Sequence, residues 1–341
     1  MKHQRFALIT VVAVFWYFTM QAYPQSSSGI APASTEARVS PVPQAPSLIE
    51  SVKKSVIFIE ADCLSNDASG RSLVKPFAGT GFLLSVPDGR LGADKGFTYV
   101  VTNRHVAQPG VEADAPCHPV RYILRVELRT AKPDGSFADV AILSPSQLQW
   151  TYSSDESVDL AIAPIGLNTE LLDAMFIPST LLMSSDEMKA QHVEEGDGVL
   201  FSGLFVQLIG QKHSEPIVRT GKIAMIPKEP VPTTLRKLGN LLLVDCHVFG
   251  GNSGSPMFIN LGGQRGGILR VGDEYKLLGV VSGYVKESSD FSLQTVASYA
   301  GTVDANSGVA TVVPAQDLLN LVNSPPLKIA RDEEVQRLTH P

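Results

Sequence analysis

The sequence predicts an all-β protein built from two six-stranded antiparallel barrels, with a short helix at each end of its folded part. Short apolar or alternating segments recur along the chain between turn signals rich in Gly, Pro, Asp and Asn, as is typical of small antiparallel barrels. The segments fall into two sets of six, at residues 55–165 and 198–313. Residues 166–193 have mixed polarity and no sustained strand pattern, so they separate the two sets.

The first set follows Ser47-Leu48-Ile49-Glu50, a helix-capping box that predicts a short helix to Lys54. One of its strands is the apolar run that begins at Tyr99 and ends just before His105. The other five are predicted at residues 56–60, 79–84, 122–128, 140–143 and 159–165.

The second set ends in a predicted closing helix, which has Pro314 at its start and runs to Asn323. Residues 286–307 are predicted to form a loop, and residues 324–341 a polar tail. The six strands are predicted at residues 198–205, 217–226, 241–246, 257–259, 277–282 and 309–313.

Composition excludes some classes of function. The chain has 341 residues, 44% of them hydrophobic, and a net charge of −6. Because no cluster of Lys and Arg stands out, nucleic-acid binding has little support. No cluster of metal-ligating residues is evident either, so we expect neither a metal nor another cofactor.

The N-terminus has the pattern of an export signal. A positive start at residues 2–5 precedes the apolar run Phe6–Met20, and Ala22 lies at a plausible cleavage point, so residues 1–22 are predicted to be a signal peptide. An uncleaved anchor is the alternative, and only then do we expect contact with a membrane. Residues 23–46 are rich in Ser, Pro and Ala and predict a flexible linker. We therefore expect a periplasmic or secreted protein.

Export also bears on the three cysteines. In an oxidising compartment a pair of cysteines tends to be bridged. Cys63 and Cys117 both fall in the first half of the fold and are the predicted pair, which leaves Cys246 free and buried. The alternative is that all three are small apolar core residues.

The segment Gly251–Pro256 carries the strongest chemical signal. Glycine reaches backbone conformations that suit a tight turn, and such a turn aims the N–H groups of Gly251 and Ser253 at one point. Ser253 would then be a nucleophile with an oxyanion hole beside it. Taken alone, the segment is equally compatible with an ordinary turn.

A serine nucleophile needs a base, and that base needs an acid to fix its tautomer. His105 lies in the polar turn that ends an apolar strand, and Asp159 opens the apolar run Leu160–Ile165. Either residue alone is compatible with an ordinary strand end. The order His105, Asp159, Ser253 is therefore the informative feature.

In this order and these contexts, the three motifs resemble those of the chymotrypsin-like serine peptidases, which have the trypsin fold. Thr102–Val106 is similar to the histidine motif of the bacterial branch, close to the high-temperature-requirement proteases, although no PDZ domain is expected here. The resemblance covers residues 47–323, the predicted peptidase domain. It implies barrels of the chymotrypsin type with the active site in the cleft between them. An α/β-hydrolase is excluded because Ser255 replaces the second glycine of its motif and the triad order differs.

The resemblance also implies a specificity pocket. Ser282, Gly283 and Tyr284 would line it and pair with the substrate, His247 would lie at its floor, and Gly308 would form the opposite wall. Since the floor carries no acid, we do not expect a preference for Arg or Lys. We expect a small or medium apolar residue, or an acidic one if His247 is charged.

These motifs predict an exported serine endopeptidase that acts on proteins or peptides through an acyl-enzyme. Asn252 replaces the aspartate on which zymogen-type relatives depend, so activation by cleavage is not expected. Two alternatives remain at this point, a silent peptide-binding module on the same fold and an esterase with the same triad.

Overall fold

The computed structural model describes residues 47–66, 71–294 and 298–339. The predicted signal peptide and linker, residues 1–22 and 23–46, lie outside the described residues. In the described part, strands dominate, and five α-helices accompany them: α1 Leu48–Ser55, α2 Arg104–Ala107, α3 Ser185–Ala190, α4 Ala315–Val322 and α5 Pro325–Thr339. Three short 3-10 helices lie at Val111–Ala113, Ser179–Leu181 and Val206–Leu208.

The first half of the chain folds into one sheet. Its strands are β1 Val56–Asn66, β2 Ser72–Pro87, β3 Gly96–Thr102, β4 Pro119–Glu127, β5 Ala138–Leu143, β6 Thr151–Tyr152, β7 Ala161–Pro164 and β8 Ile177–Pro178. The order is β5-β4-β1-β2-β3-β7-β6, and β8 pairs with β2.

This sheet does not confirm the prediction of a six-stranded first barrel. It has eight strands, and its described pairings do not close into a ring. β6 and β8 have only two residues each, which is too short for an alternating pattern to reveal them. β2 begins earlier than predicted because its first residues, from Ser72, are mostly exposed and carry no apolar signal.

The second half contains the predicted closed barrel. The remaining strands are β9 Gly198–Gly203, β10 Ile217–Met225, β11 Val231–Pro232, β12 Leu238–Gly239, β13 Leu242–Asp245, β14 Pro256–Asn260, β15 Gly263–Arg265, β16 Ile268–Arg270, β17 Tyr275–Gln294 and β18 Ser298–Pro314. Six of them close in the order β10-β13-β18-β17-β14-β9, and these six correspond to the six predicted segments. β11 with β12 and β15 with β16 form small separate hairpins.

The predicted loop at residues 286–307 is instead a long hairpin. β17 continues to Gln294 and pairs with β18 from Lys286↔Asn306 to Gln294↔Ser298. Residues 286–289 are exposed, so backbone pairing and not side-chain burial holds this part of β17. An apolar alternation therefore could not reveal them from the sequence.

The two ends of the described chain are helical. The hydroxyl of Ser47 accepts a hydrogen bond from the N–H of Glu50, as the capping box predicts. α4 corresponds to the predicted closing helix. The expected polar tail at residues 324–341 is wrong for most of its length, because α5 buries Leu327, Arg331 and Val335 at a spacing of four. These three residues form a narrow buried stripe, and one of them is an arginine. The apolar pattern of the helix is therefore too weak to recognise in the sequence.

The two halves share one core. A single buried cluster contains Phe82 and Leu160 from the first half, Phe258 and Leu277 from the barrel, and Leu318 from α4. Side chains packed across the junction hold the halves in a fixed relation. Within the described residues, no helix has both the length and the apolar character needed to cross a membrane.

Candidate active site

His105 and Asp159 lie together at neighbouring strand ends. β3 ends at Thr102 and α2 carries His105, while Asp159 comes just before β7, which pairs with β3. The ring Nδ1 of His105 lies 2.7 Å from Oδ2 of Asp159, and the backbone N–H of His105 donates to Oδ1 at 3.1 Å. Oδ2 therefore orients the imidazole, while Oδ1 fixes the backbone that carries it.

Asp159 is fully buried, at 0% exposure, and its surroundings keep it charged. The hydroxyl of Ser282 donates to its Oδ2 at 2.6 Å, and the amide of Asn103 donates to its backbone carbonyl at 2.7 Å. Burial opposes ionisation, but His105 and the hydrogen bonds from His105 and Ser282 hold the pKa of Asp159 below its usual value.

The same pair shifts the histidine. Burial disfavours the imidazolium of His105, but the Asp159 carboxylate and, to a smaller extent, the Glu112 carboxylate raise its pKa above the ordinary value. A base of raised pKa accepts a proton more readily, provided that it is neutral at the working pH.

Ser253 occupies a tight turn that precedes β14. Gly251 and Gly254 on either side have φ of 97° and 89°, values in the left-handed region that favours glycine. A Cβ at residue 254 would lie 1.9 Å from the carbonyl oxygen of Thr80, so this position also lacks room for a side chain. The sequence must therefore place glycine there for the turn to form.

The hydroxyl of Ser253 donates to the carbonyl oxygen of Ser282 at 3.0 Å. Ser282 thus contacts Ser253 through its backbone carbonyl and Asp159 through its hydroxyl. These hydrogen bonds connect His105, Asp159, Ser282 and Ser253 in one cluster, which we call the serine cluster. Among the described residues, Ser253 forms no hydrogen bond with His105 in this conformation.

Two backbone donors in the serine turn are free. Within the described part of the chain, the N–H groups of Gly251 and Ser253 form no hydrogen bond. The turn around them is held by Asn252, whose backbone N–H donates to Phe249 at 3.0 Å and whose amide donates to the carbonyl of Leu204 at 2.5 Å. Fixed, unpaired donors of this kind suit an oxygen that gains negative charge.

The five residues predicted to line a specificity pocket lie on three segments: the turn after β13, strand β17 and strand β18. His247 is exposed, and the Gly308 Cα is close enough that a Cβ there would lie 3.4 Å from its ring. Pairing of β17 with β14 ends at Val280, so no described strand pairs with that edge at Ser282, Gly283 or Tyr284. Ser282, the first of the three, presents its backbone carbonyl to the Ser253 hydroxyl.

The match to known families decides the class of protein. The family described as "Trypsin-like peptidase domain" matches residues 79–268, which include His105, Asp159 and Ser253. The chain belongs to this family. The recognition made from the three sequence motifs is thereby confirmed.

Other comparisons are more distant. No curated protein sequence matches this trypsin-like chain. It is similar to the solved structure of the HtrA-type protease AlgW with a decapeptide, at 16% identity and a TM-score of 0.41, over 86% of this chain and 66% of that chain. It is also similar to Deg5, at 17% identity and a TM-score of 0.39, over 69% of this chain and 82% of that chain.

A third similar structure is Rv3671c from M. tuberculosis H37Rv, solved as an inactive serine-to-alanine mutant. The identity is 16% and the TM-score 0.39, over 83% of this chain and 96% of that chain.

Two features of this trypsin-like domain escaped the sequence analysis. Thr80 contacts the serine turn from the first half of the fold, and the only signal for it was a polar residue between two glycines in an apolar strand. Phe249 lies beside His247, with the Arg219 guanidinium 5.0 Å from its ring centre. Nothing local in the sequence pairs Arg219 with Phe249, because they lie on separate segments.

Two further expectations concern a disulfide and a metal site. Cys63 and Cys117 are bridged, with their Cα atoms 6.0 Å apart, and Cys246 is free and buried. The described residues contain no group of His, Cys, Asp and Glu that could hold a metal ion.

Proposed function

We propose that this protein is a serine endopeptidase that cleaves proteins or peptides through an acyl-enzyme, with His105, Asp159 and Ser253 as its triad. The observation that carries the proposal is the buried Asp159 carboxylate on Nδ1 of His105, with Ser282 linking it to Ser253. Fixing Nδ1 as the donor leaves Nε2 as the acceptor that a general base needs.

In the proposed reaction, the Ser253 hydroxyl leaves the Ser282 carbonyl, turns to His105 and attacks the scissile carbonyl carbon. His105 takes the serine proton and later gives it to the leaving amine. Asp159 stabilises the imidazolium while it exists. The free N–H groups of Gly251 and Ser253 donate to the oxyanion of the tetrahedral intermediate.

We place the substrate in the cleft between the two halves of the fold. These halves correspond to the two barrels that the family resemblance implies. Beyond Val280, the edge of β17 that faces β14 has no strand partner among the described residues, while the other edge pairs with β18. An extended peptide can therefore add to the free edge at Ser282–Tyr284. His247 and Gly308 would then face the side chain next to the scissile bond. We propose a small or medium apolar residue there, or an acidic one when His247 is protonated.

We also propose that the protein is exported, with residues 1–22 as its signal and residues 23–46 as a linker. The Cys63–Cys117 bridge supports an oxidising compartment. Sequencing the N-terminus of the mature protein from the source cell would test this. A start near residue 23 supports cleavage, and an intact start on membrane-bound protein supports an anchor.

One observation favours a second candidate, a peptide-binding module that does not cleave. In this conformation the Ser253 hydroxyl donates its hydrogen bond to the Ser282 carbonyl rather than to His105. If that conformation persisted with substrate bound, the triad would be silent.

Labelling with a fluorophosphonate distinguishes the two candidates, because it requires an activated serine. We expect a stoichiometric adduct on Ser253 in the full chain, and cleavage of an unfolded protein such as casein. Ser253→Ala should lose both. Ser255→Ala is the matched control, because its buried hydroxyl has no described hydrogen-bond partner.

The absence of an adduct on folded protein would reject the peptidase proposal. An adduct with ester turnover but no cleavage of casein would favour an esterase instead.

A further inference from the structure

A cavity of about 430 Å³ lies between α5 and the first sheet, at a distance from the serine turn. Its walls are mostly apolar, and they include Leu91, Phe97, Trp150, Pro164, Leu327 and Leu338. The cavity contacts β3 at Gly96–Tyr99, whereas His105 follows the opposite end of that strand. It is therefore separate from the candidate active site.

Arg331 of α5 also lines this cavity and is only 7% exposed. Its Nη1 donates to the hydroxyl of Tyr99 at 3.1 Å and to the carbonyl of Val322 at 2.9 Å. Nε and Nη2 of Arg331 form no hydrogen bond with any described residue, and Arg331 forms no ion pair with one. Neither nitrogen is sealed inside the protein, so both reach open space.

The acids nearby are already engaged. Arg90 donates to Asp88 at 2.6 Å and to Asp332 at 2.8 Å, and Arg337 holds both carboxylate oxygens of Glu334. Glu333 borders the cavity but is exposed and has no described contact with Arg331. Arg90 and, to a smaller extent, Arg331 hold the pKa of Asp88 below its usual value, but Asp88 forms its hydrogen bonds with Arg90. A largely buried guanidinium with no carboxylate in hydrogen-bond contact is unfavourable, and an anion that pairs with it would recover part of the desolvation cost.

We propose that this cavity binds a small amphipathic monocarboxylate. Its carboxylate would accept two parallel hydrogen bonds from Nε and Nη2 of Arg331, an edge of the guanidinium that matches carboxylate geometry. Its aliphatic body would pack on Phe97, Trp150 and Leu338. The proposal is independent of the peptidase activity, since no residue of the serine cluster lines the cavity.

Trp150 provides a direct reporter of the site. The sequence has two tryptophans, Trp16 and Trp150, and Trp150 is the one that lies among the described residues and lines the cavity. We would titrate the full chain with 10-bromodecanoate, whose bromine quenches a tryptophan it touches. We expect saturable quenching that disappears in Trp150→Phe. The uncharged 10-bromodecan-1-ol should bind about ten-fold or more weakly, because it lacks the charge-assisted hydrogen bonds.

Two variants test the roles of charge and space. Arg331→Met keeps the apolar stem and should remove the preference for the acid over the alcohol. Ala330→Phe fills the cavity from an exposed helix position and should weaken both probes, even if Arg331→Met fails to fold. Arg270→Met, which removes a partly exposed arginine elsewhere, is the matched control and should bind as the unmodified chain does.

Equal binding of the acid and the alcohol would overturn the proposal. Unchanged binding in Ala330→Phe would overturn it as well. A lack of saturable quenching would also overturn the proposal. This outcome includes the case in which another part of the chain already fills the cavity.

Discussion

The hydroxyl of Thr80 donates to the carbonyl oxygen of Gly251 at 2.6 Å, across the junction between the two halves of the protein. The backbone N–H of Thr80 also donates to the carbonyl of Ser253 at 2.8 Å. The same hydroxyl accepts a hydrogen bond from the N–H of Leu204. One buried residue of β2 thus fixes both ends of the segment that carries the proposed oxyanion donors.

Thr80→Val should therefore impair the site as well as the fold. It leaves the Gly251 carbonyl and the Leu204 N–H without a partner, at a cost of about 1–3 kcal/mol in the free energy of unfolding. The fluorophosphonate labelling rate should fall on the order of 10-fold to 100-fold, since a misplacement of about 1 Å costs about 100-fold. Labelling kinetics and thermal unfolding measure the two effects.

Thr98→Val is the matched control for that variant. Its buried hydroxyl donates to the Ile165 carbonyl at 2.6 Å, away from the serine turn. We expect a similar loss of stability and no loss of labelling rate. If both variants label equally slowly, Thr80 has no special role in positioning the turn.

Gly254→Ala should abolish labelling and destabilise the protein by several kcal/mol. A left-handed backbone costs an alanine about 1–2 kcal/mol, and the new Cβ would also clash with the Thr80 carbonyl 1.9 Å away. Gly196→Ala separates these effects, because Gly196 has φ of 96° but nothing within 4 Å of the added Cβ. Comparable unfolding midpoints for the two variants would contradict the close packing described for the turn.

The labelling rate should rise with pH, with its midpoint above the ordinary histidine pKa of 6.5. His105 must be neutral to act as the base, and Asp159 and Glu112 raise its pKa, so deprotonation requires a higher pH. Glu112→Gln should move the midpoint down, because it removes one of the two negative charges. The exposed Glu229→Gln should leave the midpoint unchanged. A midpoint that does not move in Glu112→Gln would rule out its electrostatic contribution.

Asp317 in α4 should make the protein less stable as pH rises. Burial, together with the charge of Asp155, raises the pKa of Asp317 from 3.8 to about 6. The folded state then binds a proton more readily than the unfolded state, so stability falls between pH 3.8 and about 6 and stays lower above that range.

Asp317→Asn should therefore stabilise the protein at pH 8, on the order of 1 kcal/mol after allowing for solvent screening, and change little at pH 4. Thermal unfolding at the two pH values tests this. Asp186→Asn is the control, because Asp186 also lies in the first turn of a helix but its side chain is 96% exposed. A gain for Asp317→Asn that is equal at both pH values would contradict the raised pKa.

Local patterns were sufficient to predict several elements. The six strands of the closed barrel all contain buried apolar residues, and α1 begins after a serine that caps it. The hairpin of β17 and β18 beyond Lys286 was missed, and residues 286–289 at its base are exposed, so they give no signal of burial. α5 was missed because its buried stripe is one residue wide and includes Arg331.

The sequence by itself determined the local chemistry: the order of the three motifs, the glycines that allow positive φ at residues 251 and 254, and the polar residues at strand ends. Only the tertiary structure decided which of these groups meet. Ser282 donates a hydrogen bond to Asp159, which lies 123 residues away in the sequence, and Arg331 donates one to Tyr99, 232 residues away. Backbone preference and burial are encoded in neighbouring residues, whereas such contacts depend on strand order and register, which are set when the two halves pack together.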